Sequence, residues 1–487
     1  MPKGMMIVLS LLILLIPTGV TTAQSKPDFS DVAERINKTL AAGRVPAMSV
    51  AVVQHGQIIW EHGFGWADRE QHIPATANSP FYLASVTKSL TSTAVLVLRQ
   101  SGKLDLDRSI NDYLGPAKVH SPMWDTNQAT VRRVATHTSG LTTFYRACKV
   151  GDQNCEISID REIRRYGILF WPAGERFDYS NLGYAILGEA VAHASGDSFA
   201  HFLHANVFQP LGMSRCSLTK PRNAAANYDQ HTHERTTNQI SGSPGASAAY
   251  CSAHDLALFA MFELKDHVAT QRPILPDAVL DEMHRPVTHL QGQQYAIGWW
   301  TDTRGDKPVV FAQGGTTDSF TLLELFPAED VAIVMLANSW SDDFNMPNSI
   351  EQAILAKILP QVETKPKQPP AQEEAAQPMS PGFMGYWSGE IATVSGTVPI
   401  AITIAGASEA HGHVGNAADS ALRNFSTRGE HLYGVLPADL HESDAPTVPY
   451  EIELDLFLRD HKVAGAATTL PGPKSNTQLP HWIEMHQ

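Results

Sequence analysis

Long apolar runs are scarce in this 487-residue chain. Only Met5 to Ile16 is almost wholly hydrophobic, and it stops at Pro17. That is too short for a comfortable membrane span. Lys3 precedes it and the small residues Thr21-Thr22-Ala23 follow it, so residues 1–23 read as a secretory signal cut before Gln24. An uncleaved N-terminal anchor is the alternative. No Cys near the cut invites lipidation, and no later segment is apolar enough to cross a bilayer. The expected destination is the periplasm or the medium. Positive charge is also in short supply. Lys and Arg number 36 against 50 Asp and Glu, a net charge of -14. A nucleic-acid partner needs a basic face, so that class is excluded, and adhesion to anionic lipid is disfavoured. Cysteines are few, at four, and their spacings do not resemble a zinc site. No metal or other cofactor is expected. In an oxidising compartment disulfides are permitted. Cys148 and Cys155 close a short polar loop and pair first, leaving Cys216 with Cys251 by default. Four cysteines allow three pairings, and sequence does not choose among them.

What is present is a globular composition, with 43% apolar and 18% charged residues, long enough for two or three domains. Phe29 to Leu40 reads as a helix. Met48 to Val53 and Ile58 to Trp60 read as strands around a His55-Gly56 turn. Ser85 to Gln100 carries Val86, Leu90, Ala94, Val97 and Leu98 on one side and ends at Gly102, which predicts a helix. Ser252 with Asp255 three residues on is a capping pattern before Leu256 to Phe262. Strand-like segments return at Ala296 to Thr301, Val309 to Ala312, Phe320 to Phe326 and Val331 to Ala337, with a last helix over Ser349 to Ile358. Strands at both ends with helices between predict one sheet built from the two termini, with a helical insertion. From about Val362 to Pro381 prolines gather among Gln, Glu and Ala, as in a linker. Beyond it, Ile400, Ile402 and Ile404, then Tyr450, Ile452, Leu454, Leu456 and Leu458, alternate with their neighbours at the period of half-buried strands. The expected layout is a signal over 1–23, a large α/β domain over 28–360, a linker over 361–381 and a small antiparallel β-domain, barrel-like or curled, over 382–487.

Three short patterns carry chemistry. Ser85-Val86-Thr87-Lys88 opens the long helix, and residues three apart share a helix face. The Ser85 hydroxyl and the Lys88 amine therefore meet. A serine needs an adjacent base to be a nucleophile, and a lysine becomes one when burial lowers its pKa. Ser217-Leu218-Thr219-Lys220 repeats the spacing, but Pro221 follows at once and no helical run does. Tyr179-Ser180-Asn181 comes next, where a phenol can relay a proton and the Asn side chain can bridge lysine and substrate. Gln313-Gly314-Gly315-Thr316 lies between strand-like runs, where glycines let backbone approach a ligand and the N–H of Thr316 can join that of Ser85 as an oxyanion hole. Each pattern alone has a plain structural explanation: a helix start, an Asx-type turn, a glycine turn.

In this order, S-x-x-K opening a helix, Y-x-N and a glycine-containing strand motif resemble the serine β-lactamase and penicillin-binding-protein superfamily. The tyrosine version is similar to class C β-lactamases, D-aminopeptidases and related esterases. Thr136-His137-Thr138-Ser139-Gly140-Leu141, Leu211-Gly212-Met213, Ala253-His254-Asp255-Leu256 and Tyr295 to Trp299 resemble the same family, over roughly residues 28–360. The resemblance implies an α/β lobe beside an all-helical lobe with the site between them. It implies that Ser85 is acylated, that Lys88 and Tyr179 share the base and acid work, and that Asn181 orients Lys88. It places substrate along Gln313, Gly314 and Gly315, with the N–H groups of Ser85 and Thr316 as oxyanion hole. Where the family usually has Lys or His, this chain has the neutral Gln313. That disfavours a substrate carboxylate and points to small esters or amides. A peptidoglycan-directed D-amino-acid peptidase or weak β-lactamase is the enzymatic alternative, and a catalytic-like receptor the non-enzymatic one. His231-Thr232-His233 and His411-Gly412-His413 lack an accompanying carboxylate cluster of metal-site spacing.

Overall fold

The computed structural model describes residues 27–43, 45–146, 158–236, 243–287, 294–340, 345–362, 377–441, 450–470 and 477–487. The signal segment, most of the linker and the Cys148–Cys155 loop lie outside the described residues.

The first sheet has seven antiparallel strands. In chain order they are β1 (Ala47–Gln54), β2 (Gln57–Asp68), β3 (Ile73–Pro74), and, after the short pair β4 (Phe81–Tyr82) and β5 (Tyr250–Cys251), β6 (Trp300–Arg304), β7 (Lys307–Thr316), β8 (Ser319–Phe326) and β9 (Val331–Ala337). Their spatial order is β3-β2-β1-β9-β8-β7-β6. The expected sheet of both termini is therefore present, with β1 against β9 at its centre, Met48 opposite Ala337. The strand β9 is apolar throughout and β1 nearly so, with Ser49 buried and Gln54 at its end, because both faces are covered. Ala47, Ala51 and Val53 pack with Ala332, Val334 and Leu336 toward the helical lobe. Met48, Val50 and Val52 pack with Ile333 and Met335 under the helices Ser30–Ala41 and Asn345–Ile358. Strand β6 pairs with β7 only as far as Trp300 opposite Phe311, so Gln313 to Thr316 pair with β8 alone.

The strand expected over Ala296 to Thr301 begins only at Trp300. Ala296 to Trp299 is a tight turn, closed by the Ala296 N–H donating to the Trp299 carbonyl at 2.8 Å. Gly298 sits at φ +85°, and a Cβ there would lie 2.4 Å from Ser92 Oγ. The run is apolar because Ala296, Ile297 and Trp299 are buried, with Gly298 against the helix Thr87–Gln100, and burial without alternation does not distinguish a strand from a turn. The Ser252 cap forms as expected, its hydroxyl accepting from the Asp255 N–H. Cys216 and Cys251 are joined by a disulfide.

The C-terminal domain is one all-antiparallel sheet of nine strands: β10 (Gly385–Thr393), β11 (Gly396–Gly406), β12 (Glu409–Val414), β13 (Ser420–Ala421), β14 (Arg423–Arg428), β15 (His431–Ala438), β16 (Tyr450–Arg459), β17 (Lys462–Leu470) and β18 (Pro480–His486). Its order, β13-β12-β11-β10-β18-β17-β16-β15-β14, leaves two edge strands that are consecutive in the chain. With β12 also lying against β15, the sheet curls nearly into a barrel around Trp387, Ile402, Leu454 and Leu456. The alternation of β16 holds for the inward residues. Its outward Phe457, however, is also buried, packed with Ala464, Ala466 and Trp482 against Ile168, Phe170 and Trp171 of the hydrolase domain.

Candidate active site

The helix Thr87–Gln100 is preceded by a 3-10 turn, Ala84–Val86, so Ser85 stands just ahead of the first helical turn. Thr87 fixes the turn, donating from Oγ1 to the Ala84 carbonyl at 2.7 Å and accepting from the Ala249 N–H at 3.1 Å. One turn on, Lys88 is almost fully buried, at 1% exposure. Its Nζ donates to Ser85 Oγ at 3.0 Å, to Asn181 Oδ1 at 2.8 Å and to the Ala246 carbonyl at 3.1 Å. The ring faces of Tyr179 and Tyr184 lie 4.8 and 5.7 Å away. Every hydrogen-bond acceptor is neutral, so no counter-charge offsets the lost hydration of an ammonium, and burial pulls the Lys88 pKa down to about 7. The amine is thus half deprotonated near neutrality and already holds the serine oxygen.

Tyr179 and Asn181 come from the entry to the helix Asn181–Ser195. Ser180 is its N-cap, accepting from the Gly183 N–H at 3.1 Å, which places Tyr179 just outside the helix and Asn181 on its first turn. The Asn181 amide also donates to the Phe144 carbonyl at 3.2 Å. The Tyr179 ring stacks on Trp300 and sits 4.3 Å from the ring of His137. Burial pushes its phenol up to about 12, although the neighbouring Ser85 hydroxyl pulls the other way. At neutral pH Tyr179 is therefore a protonated donor while Lys88 is available as an acceptor.

His137 was visible only as part of a motif, with no role attached. It is buried, and its Nδ1 accepts from the Ser180 N–H at 3.0 Å. Burial, with Lys88 nearby, pulls its pKa well below the usual range, so the ring is neutral. It packs with Tyr184, Tyr295 and Phe177 into an aromatic wall behind Tyr179. The Thr-His-Thr-Ser-Gly-Leu stretch and the stretch from Tyr295 were the sequence signs of that wall. The Ala246 carbonyl had none.

The glycine motif is brought only partly to this cluster. Gly314 faces the Ser85 turn, and a Cβ there would lie 2.3 Å from the Leu83 carbonyl and 2.8 Å from the Ser85 N. Gly315 faces the other way, onto Trp340. Alternation puts Gln313 on the face of Gly315 and Phe311. Among the described residues no hydrogen bond joins Gln313 to Lys88 or Tyr179. Thr316 ends the strand opposite Ser319, its hydroxyl donating to Asp318 Oδ1 at 2.5 Å. The second S-x-x-K is a loop in which Ser217 bridges to Tyr250. Among the described residues no group of three or more His, Cys, Asp or Glu could hold a metal. Nor is any helix among them long and apolar enough to cross a membrane.

A family model described as Beta-lactamase matches residues 32–356, more than half of the chain. The chain belongs to the beta-lactamase family. Among curated proteins this beta-lactamase family member is similar to Protein flp of Staphylococcus aureus (strain MRSA252), 26% identical over 318 residues. The match covers 62% of this chain and spans only 61% of the length of that relative. Two solved structures share the fold. A class C beta-lactamase superposes with a TM-score of 0.59 at 21% identity, covering 68% of this chain and 96% of its own. SurE superposes with a TM-score of 0.63 at 22% identity, covering 94% of this chain and 98% of its own, so the likeness extends into the C-terminal β-domain. SurE has also been solved with D-Leu. The chain thus has the fold of the serine hydrolases of the β-lactamase and penicillin-binding-protein family.

Proposed function

We propose that this protein is an exported serine hydrolase that cleaves an ester or amide through an acyl-enzyme on Ser85. The observation that carries the reading is Lys88: a buried amine with only neutral hydrogen-bond acceptors, its pKa near 7, 3.0 Å from Ser85 Oγ. In the proposed cycle Lys88 takes the Ser85 proton as Oγ attacks the carbonyl carbon. The N–H groups of Ser85 and Thr316 receive the developing oxyanion, and Tyr179 gives its proton to the leaving group. Water then reverses the sequence and releases the acid. Asn181 holds Lys88 toward Ser85. The disulfide between Cys216 and Cys251 supports an oxidising destination, periplasmic or secreted.

Gln313 is neutral and lies on the strand face away from the Ser85 turn, so it supplies no cation for a substrate carboxylate, which supports small esters and amides. A D-amino-acid ester or amide is the second reading, favoured by the solution of SurE with D-Leu. The test is intact-mass analysis after exposure to a fluorophosphonate probe, nitrophenyl esters, D-amino-acid amides and a cephalosporin. An adduct on the wild type that is absent from Ser85→Ala, with ester turnover exceeding cephalosporin turnover, is the expected result. Rapid cephalosporin turnover without ester turnover would overturn the substrate assignment. A wild type that no probe labels would make the fold a binding protein.

A further inference from the structure

The C-terminal β-domain meets the hydrolase domain at or beside two chain segments that carry or hold Tyr179 and Asn181. The first is Phe177 to Asn181. Just before it, Arg176 lies over the Trp171 ring at 4.3 Å and donates from Nη2 to Asp455 Oδ2 of β16 at 2.5 Å. Asp178, 4.0 Å from the same guanidinium, accepts from Thr142 Oγ1 at 2.7 Å, and its N–H donates to the His137 carbonyl at 2.8 Å. Tyr179 is the next residue. The second segment is Leu141 to Arg146, whose Phe144 carbonyl takes the Asn181 amide. There Tyr145 and Gln478 exchange both backbone hydrogen bonds, at 3.0 and 2.6 Å. The adjoining Leu479 is fully buried within the core of the hydrolase domain. Phe457 and Trp482 fill the space between the two contacts, against Phe170 and Trp171.

We propose that the β-domain is a working part of the active site, with Asp455, Arg176 and Gln478 as positioning residues that hold Tyr179 and Asn181 in register with Ser85 and Lys88. The physical reason lies in where the contacts fall. A polar ion pair and a backbone bridge have fixed geometry, unlike an apolar patch: Arg176 is three residues before Tyr179, whose ring faces Lys88, and Tyr145 adjoins Phe144, whose carbonyl holds the Asn181 amide. A buried guanidinium deprived of its main carboxylate turns to the nearest other, here Asp178, and pulls on the residue before Tyr179. Positional errors of about 1 Å in such sites lower rates by about a hundredfold.

This inference rests on the hydrolase reading, and the experiment separates the two. The full chain is compared with Asp455→Asn, Asp455→Glu and Ile402→Val, the last weakening only the interior of the β-domain. Fluorophosphonate labelling rates and amide hydrogen exchange are measured on each. The expected result is labelling slowed about ten- to a hundredfold in Asp455→Asn. Faster exchange should be confined to residues 141–146 and 177–181, with partial recovery in Asp455→Glu and wild-type behaviour in Ile402→Val. Unchanged labelling and exchange in Asp455→Asn, or equal losses in Asp455→Asn and Ile402→Val, would overturn the inference. If the wild type itself does not label, the hydrolase reading falls and the exchange pattern alone decides whether the β-domain holds these segments.

Discussion

Replacing Asn181 by Asp puts a negative charge 2.8 Å from Lys88 Nζ while hardly changing shape. Unit charges at that distance attract by about 6 kcal/mol at an effective dielectric near 20. Burying the new carboxylate costs much of this, so the pKa of Lys88 is expected to rise by about one to three. With a rise of about two, from about 7 to about 9, the neutral fraction at pH 7 falls from about half to about 1%. If neutral Lys88 is the base, acylation of Asn181→Asp at pH 7 should be about fiftyfold slower, and it should recover near pH 9–10. Asn181→Ala removes the same hydrogen bonds without adding charge, so its rate should fall without any such movement of the pH profile. The assay is the fluorophosphonate labelling rate from pH 5 to pH 10 on all three proteins. An inflection in Asn181→Asp that stays at the wild-type pH would refute the assignment of Lys88 as base.

The wild-type rate itself should climb with pH through about 7 and then stay level to about pH 10, because the Tyr179 phenol, held near 12, keeps its proton over that range; a descending limb near pH 8 in the same assay would contradict this. Lys88 also makes stability depend on pH. Its folded pKa of about 7 lies below the ordinary 10.5, so between those values the unfolded chain binds more protons and stability rises with pH. The stability difference between wild type and Lys88→Met should therefore move by about 4 kcal/mol in favour of the wild type from pH 7 to pH 10.5, read from melting temperatures at each pH. Gly314→Ala forces a Cβ to within 2.3 Å of the Leu83 carbonyl and displaces strand or nucleophile turn, so labelling should slow by about a hundredfold.

Much of the candidate site was legible because its members sit in short spaced patterns. Ser85 and Lys88 are three apart at a helix start, and a single helix cap fixes Tyr179 and Asn181. The wall behind them was not legible, since His137, Tyr295 and Trp300 reach Tyr179 from distant parts of the chain and aromatic rings have no characteristic spacing. The glycine motif located a close approach, but not which residue makes it: Gly314 meets the nucleophile turn and Gln313 shares the opposite face. In the fold, the continuous apolar runs of β1 and β9 announced strands buried on both sides. The same signal misled at Ala296 to Trp299, where a buried turn is equally apolar. Period-two alternation in β16 identified the barrel-facing side, yet it had no means of showing that Phe457 and Asp455 on the other side meet the hydrolase domain.

The pairing of β1 with β9 has a kinetic consequence. Val50 lies opposite Met335, so the central ladder joins residues almost three hundred positions apart. Closing so long a loop precedes any stabilisation from the contacts it brings, and sheets of this kind fold slowly. During synthesis the central strand has no second neighbour until Val331 to Ala337 have left the ribosome. A chain interrupted before that point keeps the apolar faces of Ala47–Gln54 uncovered, and is expected to aggregate rather than to persist as a smaller folded unit.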